Sequence, residues 1–254
     1  LPLDPSIFGF EKQTLDKPLA APWFQSGPHR VTTDAHSPFT HLFPAGTRGV
    51  RIEPGKPNDG IRLEFPPPRT AATSPRLYFN VDFRNVVGGA ASGEQAGGSA
   101  GSYRFFLGRG AIISTALECS VTATELQIRN GSSWEKIRSL DPGAWYNLQL
   151  TIDLVNKKWS GRVGRPGEWI EFADKALAPG WNGEIDTFFC DGIGHQMGPG
   201  LARDLDNITL QPVPFTEPGQ SLSAKESARL RAELARIEAE LREVETRRTA
   251  DANQ

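Results

Sequence analysis

The sequence predicts an all-β protein, a two-sheet antiparallel jelly-roll sandwich with a C-terminal α-helical tail. Two observations carry this prediction. Short runs of alternating apolar and polar residues fill the first 212 positions, and the composition changes abruptly at Pro212–Gly219. Glycine (26) and proline (20) are also more frequent among the 254 residues than is usual, which suits a fold with many turns.

Ten runs have the pattern expected of strands. Tyr146–Asp153 is the clearest, because its aromatic and aliphatic residues alternate with polar ones. No helical stretch separates the runs, which favours an antiparallel sandwich over alternating strands and helices. The predicted strands are Val50–Ile52, Ile61–Phe65, Leu77–Phe83, Tyr103–Leu107, Ala111–Ser114, Leu126–Arg129, Tyr146–Asp153, Lys158–Val163, Trp169–Phe172 and Asp206–Gln211.

The segment Val87–Ser102 is rich in glycine, alanine and serine. Such a composition buries little apolar surface, so it predicts a long mobile loop between two strands. The loop is interpreted either as a flap over a binding face or as a tolerated insertion.

The C-terminal part predicts an amphipathic helix over 223–248, after a Pro/Gly linker over 213–222 and before a disordered end over 249–254. Ser223 and Glu226 form a capping box at its start. A seam of about two heptads is marginal alone and needs a partner, which is another copy, the sandwich (1–212), a different subunit or a further domain. An intermolecular partner is favoured. The seam residues are Leu230, Leu234, Ile237, Leu241 and Val244.

Charge and termini limit the functional classes. The formal net charge of −2 provides no basic excess for nucleic acid, and no apolar run is long enough to span a membrane. The chain does not begin with Met, so either a leader was removed or the sequence is a fragment. We expect an extracytoplasmic protein, either periplasmic or secreted to the cell surface.

Cys119 and Cys190 are the only cysteines. In an exported protein they would form one disulfide bond around a large loop. The alternative is a pair of buried free thiols. Neither lies in a CxxC motif, so a zinc or redox site is not expected.

Three segments resemble the concanavalin A-like lectin/glucanase superfamily, which includes laminin-G-like domains. They are Phe10-Glu11, the run Gly143–Asp153 with the pattern G-x-W-Y-x-L-x-L-x-I-D, and Asp204–Leu210 with its closing D-N-I-x-L. The resemblance covers Phe8–Pro212. It implies two stacked antiparallel sheets with a face that carries a ligand, but no particular activity.

The resemblance also implies a structural calcium site. Glu11 and Asp206 lie on the first and last strands, where related carbohydrate-binding jelly rolls hold Ca²⁺. Calcium takes six to eight oxygens, so Asp204, Asn207 or backbone carbonyls would have to join. The alternative is that Glu11 and Asp206 are ordinary hydrogen-bonding residues at strand ends.

Other catalytic signatures are weak. Glucanases of this superfamily use E-x-D-x-E on one strand face, whereas Glu184-Ile185-Asp186-Thr187-Phe188 has Phe188 in place of the second glutamate. Hydrolysis by that route is therefore not expected. The four histidines are expected in exposed loops: His29, His36, His41 and His195.

Tryptophans supply the remaining candidate site. Trp169 and Trp181, with Asp186 and Asp191, are predicted to form a saccharide-binding platform, because sugar rings stack on exposed aromatic rings. The alternative is that these rings fill the core.

Together these features predict a non-catalytic recognition or assembly module. It would bind a glycan or a partner protein through the sandwich and dock to a larger assembly through its helix. One alternative is a carbohydrate-active enzyme of the hydrolase or lyase type, which needs two carboxylates or a His/Tyr pair converging in one groove. The second is a purely structural subunit.

Overall fold

The computed structural model describes residues 9–54, 56–86, 101–110, 114–192, 201–215, 232 and 236. The chain divides into two units, Leu1–Pro214 and Phe215–Gln254. In the second unit, Ala232 and Arg236 are helical. Of the loop predicted over Val87–Ser102, residues 87–100 lie outside the described residues, and Ser102 begins a strand, Ser102–Arg109. The helical seam, His195 and the predicted disordered end also lie outside the described residues.

The first unit is a sandwich of two seven-stranded antiparallel sheets, which confirms the all-β two-sheet prediction. Sheet A has the order β1-β4-β13-β6-β7-β8-β9, and sheet B has the order β12-β11-β10-β5-β14-β3-β2. The strands of sheet A are β1 (Trp23–Ser26), β4 (Gly60–Arg69), β6 (Ser102–Arg109), β7 (Ser114–Thr122), β8 (Glu125–Asn130), β9 (Ser133–Ser139) and β13 (Ile185–Asp191). Those of sheet B are β2 (His29–Thr32), β3 (Gly49–Ile52), β5 (Arg76–Asn85), β10 (Trp145–Asp153), β11 (Lys158–Arg165), β12 (Glu168–Ala176) and β14 (Arg203–Gln211).

The core lies between the sheets and is rich in aromatic rings. Phe79 on sheet B stacks with Phe188 on sheet A at 5.4 Å between ring centroids. Phe83 meets Phe105 edge to face at 5.4 Å. Offset and edge-to-face pairs are favourable beyond the area they bury, so these contacts stabilise the packing of one sheet on the other.

The strand predictions differ from the structure mainly by omission. Nine predicted runs fall within strands, and the tenth meets β7 only at Ser114, because 111–113 lie outside the described residues. The pattern missed β1, β2, β9 and β13 entirely. β13 was missed because both of its faces are largely covered, so its residues do not alternate between apolar and polar.

The two cysteines are free thiols and both are buried. Cys190 on β13 and Cys119 on β7 each face Phe105, which lies on β6 between them. The two cysteine Cα atoms are therefore two strand spacings apart, about 9–10 Å, which is too far for a disulfide bond. Of the two alternatives, the buried thiols are therefore confirmed.

A connecting segment, 33–48, lies against the face of sheet B that points away from the core. It begins with a short 3-10 helix, Thr33–Ala35. The backbone N–H of Ser37 donates to Asp206 on β14, and His41 contacts Gln149 on β10. We call 33–48 the covering segment, because it buries polar side chains that an open sheet face would leave in water.

Candidate functional site

The outward face of sheet B carries carboxylates and carboxamides instead of the usual solvated residues. Along β10 the apolar residues point into the core, so Asn147 and Gln149 point outward. On β5 the same alternation places Asn80 and Asp82 outward, beside Asp206 of β14. All five are at most 9% exposed, and buried polar groups of this kind must be hydrogen-bonded to be tolerated.

Asp82 and Asp206 form a carboxyl pair at the centre of this face. They are directly opposite each other in the register of β5 and β14, which places their Cβ atoms about 4.5–5.5 Å apart. Asn207 joins them, because its backbone N–H donates to Asp206 Oδ1 at 2.8 Å and its amide donates to Asp82 Oδ2 at 2.7 Å. Ser37 of the covering segment also hydrogen-bonds to both carboxyls.

The two carboxyls have different proton affinities. Burial raises the pKa of Asp82 to about 6, against the opposing effect of hydrogen bonds from Ser37, Asn207 and Asn147. Burial, together with the charges of Asp82 and Glu11, raises the pKa of Asp206 to about 8. Both pKa values are raised, so the pair holds a proton at a higher pH than an isolated aspartate would, and that proton belongs to the pair as a unit.

Asn207 owes its position to an irregularity in β14. Pairing with β5 shifts register between Asp206 and Thr209, and Asn207 adopts a left-handed conformation with φ of 51°. Asparagine tolerates this conformation better than most residues. The bulge places the amide and backbone N–H of one residue against both acids.

A chain of amides connects the acid pair to β11, the strand next to the edge of sheet B. Asn147 donates to Asn80 Oδ1 at 2.7 Å and to Asp82 Oδ1. Gln149 donates to Asn147 Oδ1 at 2.7 Å and accepts from Arg162 Nε at 3.2 Å. The network therefore spans β14, β5, β10 and β11, and it holds the side chains around Asp82 in fixed positions.

Aromatic and basic groups border the Gln149 end of this chain of amides. The His41 ring lies 5.5 Å from the Trp169 ring, and the Arg162 guanidinium lies 4.4 Å above that tryptophan. Gln149 Nε2 is 3.2 Å from His41 Nε2. An aromatic face beside hydrogen-bonding amides is a combination that suits the apolar faces and hydroxyls of a sugar.

The predicted saccharide platform does not assemble as one site. Trp169 lies on the outward face of sheet B. Trp181 is 8% exposed, packs in the core and donates to the Glu184 backbone oxygen at 2.7 Å. Asp186 and Asp191 lie on β13 in sheet A, where Arg109 and Arg104, respectively, pair with them.

The predicted metal residues do come together. A Cβ on Gly46 would lie 2.8 Å from Glu11 Oε1 and 3.8 Å from Asp206 Oδ2, so both carboxylates face the same small space. Backbone N–H groups of Thr47 and Arg48 donate to Glu11, and those of Ser37 and Asn207 donate to Asp206. Calcium takes six to eight oxygens, and among the described residues no group of three or more His, Cys, Asp or Glu side chains is arranged to hold a metal ion. Glu11 and Asp206 would supply only two carboxylates, so calcium at this place stays a prediction, and no chemistry below depends on a metal.

The histidines differ from expectation. His29 lies on β2 and is 6% exposed, so the prediction of an exposed loop residue is wrong there. His41 is half-buried against Trp169, and His36 is exposed. The candidate site residue that sequence reasoning missed altogether is Asp82, although its outward position in Leu77–Phe83 was visible in the alternation.

Comparisons with known proteins place the fold. No family model matches the sequence, and no curated protein matches it. The catalytic domain of a glycoside hydrolase family 131 protein from Coprinopsis cinerea aligns with a TM-score of 0.50 at 13% identity, over 82% of this chain and 94% of that chain. A sialidase aligns with a TM-score of 0.48 at 12% identity, over 74% of this chain and 17% of that chain. A carbohydrate esterase from the bacteriophage phi24B aligns with a TM-score of 0.45 at 13% identity, over 74% and 88% of the two chains.

These structures are consistent with the concanavalin A-like resemblance, although no family match confirms it. They also correct the functional expectation. The sequence favoured a non-catalytic module, whereas the family 131 structure, which aligns with a TM-score of 0.50, is the catalytic domain of a glycoside hydrolase. That finding contradicts the main interpretation and favours its enzymatic alternative. At this identity the likeness itself shows the fold alone.

Two remaining expectations concern the partners. Within the described residues, no helix has the length and apolar character to cross a membrane. Nothing in the comparisons supports the predicted helix-mediated protein contact or the coiled coil.

Proposed function

We propose that the chain is a carbohydrate-active hydrolase that cleaves a glycosidic bond at the outward face of sheet B. The observation that carries this proposal is the carboxyl pair Asp82–Asp206, whose members sit opposite each other with pKa values of about 6 and about 8. Glycoside hydrolysis needs one protonated and one ionised carboxyl at the same pH.

A pair that shares one proton can supply the acid and the base that the reaction requires. Asp206, whose pKa is raised the more of the two, would donate the proton to the leaving glycosidic oxygen. Asp82, oriented by Asn147 and Asn207, would attack the anomeric carbon. Two acids on directly opposite strand residues are close enough for the retaining mechanism, in which the nucleophile forms a glycosyl-enzyme intermediate that water then hydrolyses.

Access to the pair requires movement of the covering segment. Asp82 is 1% exposed and Asp206 is 2% exposed, so a sugar reaches them only when Ser37 moves away. The contacts to be broken include the hydrogen bonds of Ser37 to Asp206 and Asp82, the bond from Arg84 to the Asp34 carbonyl, and the contacts of His41 with Gln149 and Trp169. Movements of covering segments gate access to many active sites.

The test is release of reducing ends from a panel of neutral and acidic polysaccharides by the full chain. Asp82→Asn and Asp206→Asn keep side-chain volume and remove the acid chemistry, so we expect each to lower kcat at least about 100-fold. Glu171→Gln, on the outward face of β12, is the matched control and should keep activity. Circular dichroism and thermal unfolding check that each variant is folded.

Two results would overturn the proposal. One is a folded Asp82→Asn variant that cleaves as fast as the wild type. The other is a wild-type chain that releases no reducing ends from any polysaccharide in the panel, including after the bond between Ser37 and Asp206 is removed by Ser37→Pro.

A further inference from the structure

A second feature of the outward face of sheet B is an open cleft at the ends of β10 and β11. Its volume is about 480 Å³, which lies within the range of small-molecule sites. Its lining includes Arg76, Thr151, Asp153, Lys158, Ser160 and Asp174. We call it the end cleft.

The end cleft continues the face that holds the acid pair. Thr151 lies two positions beyond Gln149 on β10, so both side chains point outward. Asp153 in the cleft lies six positions beyond Asn147, which contacts Asp82, and six positions along a strand span about 20 Å. A chain of several sugar units is long enough to bridge the two places.

Charges in the cleft balance. Arg76 and Asp153 approach to 3.6 Å, and Lys158 and Asp174 approach to 3.4 Å. Two cations and two carboxylates leave no net charge, so the cleft has no electrostatic preference for a polyanion. It offers N–H donors and carboxylate acceptors side by side, the arrangement to which sugar hydroxyls, as both donors and acceptors, are matched.

Hydroxyl groups form the floor between these ion pairs. Thr151 and Ser160 are opposite each other in the register of β10 and β11. Ser160 Oγ accepts from the Asp174 backbone N–H at 3.1 Å. The hydroxyl hydrogen of Ser160 takes no part in that bond.

A β-bulge places Asp174 at the rim. The pairing of β11 with β12 shifts register between Trp159 and Gly161, so β12 has one extra residue there. Asp174 adopts a left-handed conformation with φ of 55°, and its side chain is 79% exposed. Bulges re-aim side chains and recur beside binding sites, and strained non-glycine residues cluster at such sites.

Asp153 is a fixed acceptor on the other side. The backbone N–H and the amide of Asn156 donate to its two carboxylate oxygens at 2.9 and 3.0 Å. Partial burial works against ionisation, but these bonds and the charge of Arg76 outweigh it, and the pKa of Asp153 is lowered. A preorganised, ionised acceptor reduces the entropy that a ligand must lose on binding.

We propose that the end cleft binds the distal units of a neutral oligosaccharide. This inference rests on the proposed function, because that function is the reason to expect a carbohydrate ligand. It adds a second binding site and the expectation that the ligand is uncharged, neither of which follows from the acid pair. Hydroxyls of neutral sugar units would bridge the carboxylates of Asp153 and Asp174 and the hydroxyls of Thr151 and Ser160.

The experiment is calorimetric titration of the full chain with hexasaccharides from cellulose, laminarin, xylan and mannan, and with hexagalacturonate as the acidic counterpart. Asp82→Asn serves as the background, so that the ligand is not cleaved. Asp174→Ala and Thr151→Val should each weaken binding of the neutral ligand about tenfold, the effect expected from losing one hydrogen bond to a bound ligand. Glu171→Ala, on the same strand as Asp174 but outside the cleft lining, is the control and should bind unchanged.

Three results would overturn the inference: unchanged affinity in both cleft variants, no binding of any neutral hexasaccharide, or tighter binding of hexagalacturonate. The two proposals fail separately. Loss of cleavage in Asp82→Asn with normal binding in Asp174→Ala would reject the cleft and keep the acid pair. Normal cleavage in Asp82→Asn with weakened binding in Asp174→Ala would keep the cleft and reject the acid pair.

Discussion

Stability against pH gives a direct test of the acid pair, independent of any substrate. The pKa of Asp206 is about 8 in the folded chain, against an ordinary value of 3.8. Between these values the folded state keeps a proton that the unfolded chain releases, so stability falls as pH rises through the window. About 1.4 kcal/mol per pH unit over this interval amounts to roughly 6 kcal/mol.

Asp206→Asn removes this titration while keeping the side-chain volume. The amide offers one acceptor oxygen to two backbone donors, those of Ser37 and Asn207, so the variant loses about 1–3 kcal/mol at every pH. The wild-type advantage should therefore be largest below pH 3.8 and should shrink by about 1.4 kcal/mol per pH unit between pH 5 and 8. By pH 8 the variant should be at least as stable as the wild type.

The measurement is urea unfolding at pH 5, 6, 7 and 8 at constant ionic strength. Asp153→Asn is the control, because the pKa of Asp153 is lowered. Stability from a lowered pKa is fully present above the ordinary value of 3.8 and is lost only as pH falls below it. The Asp153→Asn difference should therefore stay constant from pH 5 to 8. A constant difference for Asp206→Asn as well would refute the reasoning about its pKa.

Two further predictions concern the fold that positions these sites. Arg104→Ala removes the bidentate partner of Asp191, which is 2% exposed. The variant should lose about 3–5 kcal/mol of unfolding free energy in urea titrations. Equal stability would show that the pairing of Asp191 with Arg104 does not stabilise the fold. Gly161→Ala places a Cβ 2.5 Å from the Gln149 backbone oxygen, with an expected loss of about 1–3 kcal/mol. Gly180→Ala meets nothing within 4 Å and should stay within about 0.5 kcal/mol of the wild type.

Strands with one buried face were predictable, and strands covered on both faces were not. β10 alternates because its core face is apolar and its outward face is polar, and this periodicity is visible in the sequence alone. β13 places Phe188 in the core and Phe189 against Phe106 on the outer face of sheet A. Two adjacent phenylalanines break the alternation of apolar and polar residues, so the alternation could not identify this segment as a strand.

The candidate site could not be predicted in full either, because its two acids are far apart in the sequence. Asp206 was found through resemblance, but its partner Asp82 lies far away in the chain and becomes its neighbour only because β5 pairs with β14. Sequence gives no register between strands so far apart. One local signal was nevertheless present. The outward positions Asn80, Asp82, Asn147 and Gln149 are short acids and amides, residues depleted from solvated strand faces, and each has its hydrogen-bonding capacity met by another side chain on that face. A strand that is apolar on one side and carries Asn or Asp on the other therefore indicates a face that a further layer covers, which is where the covering segment lies.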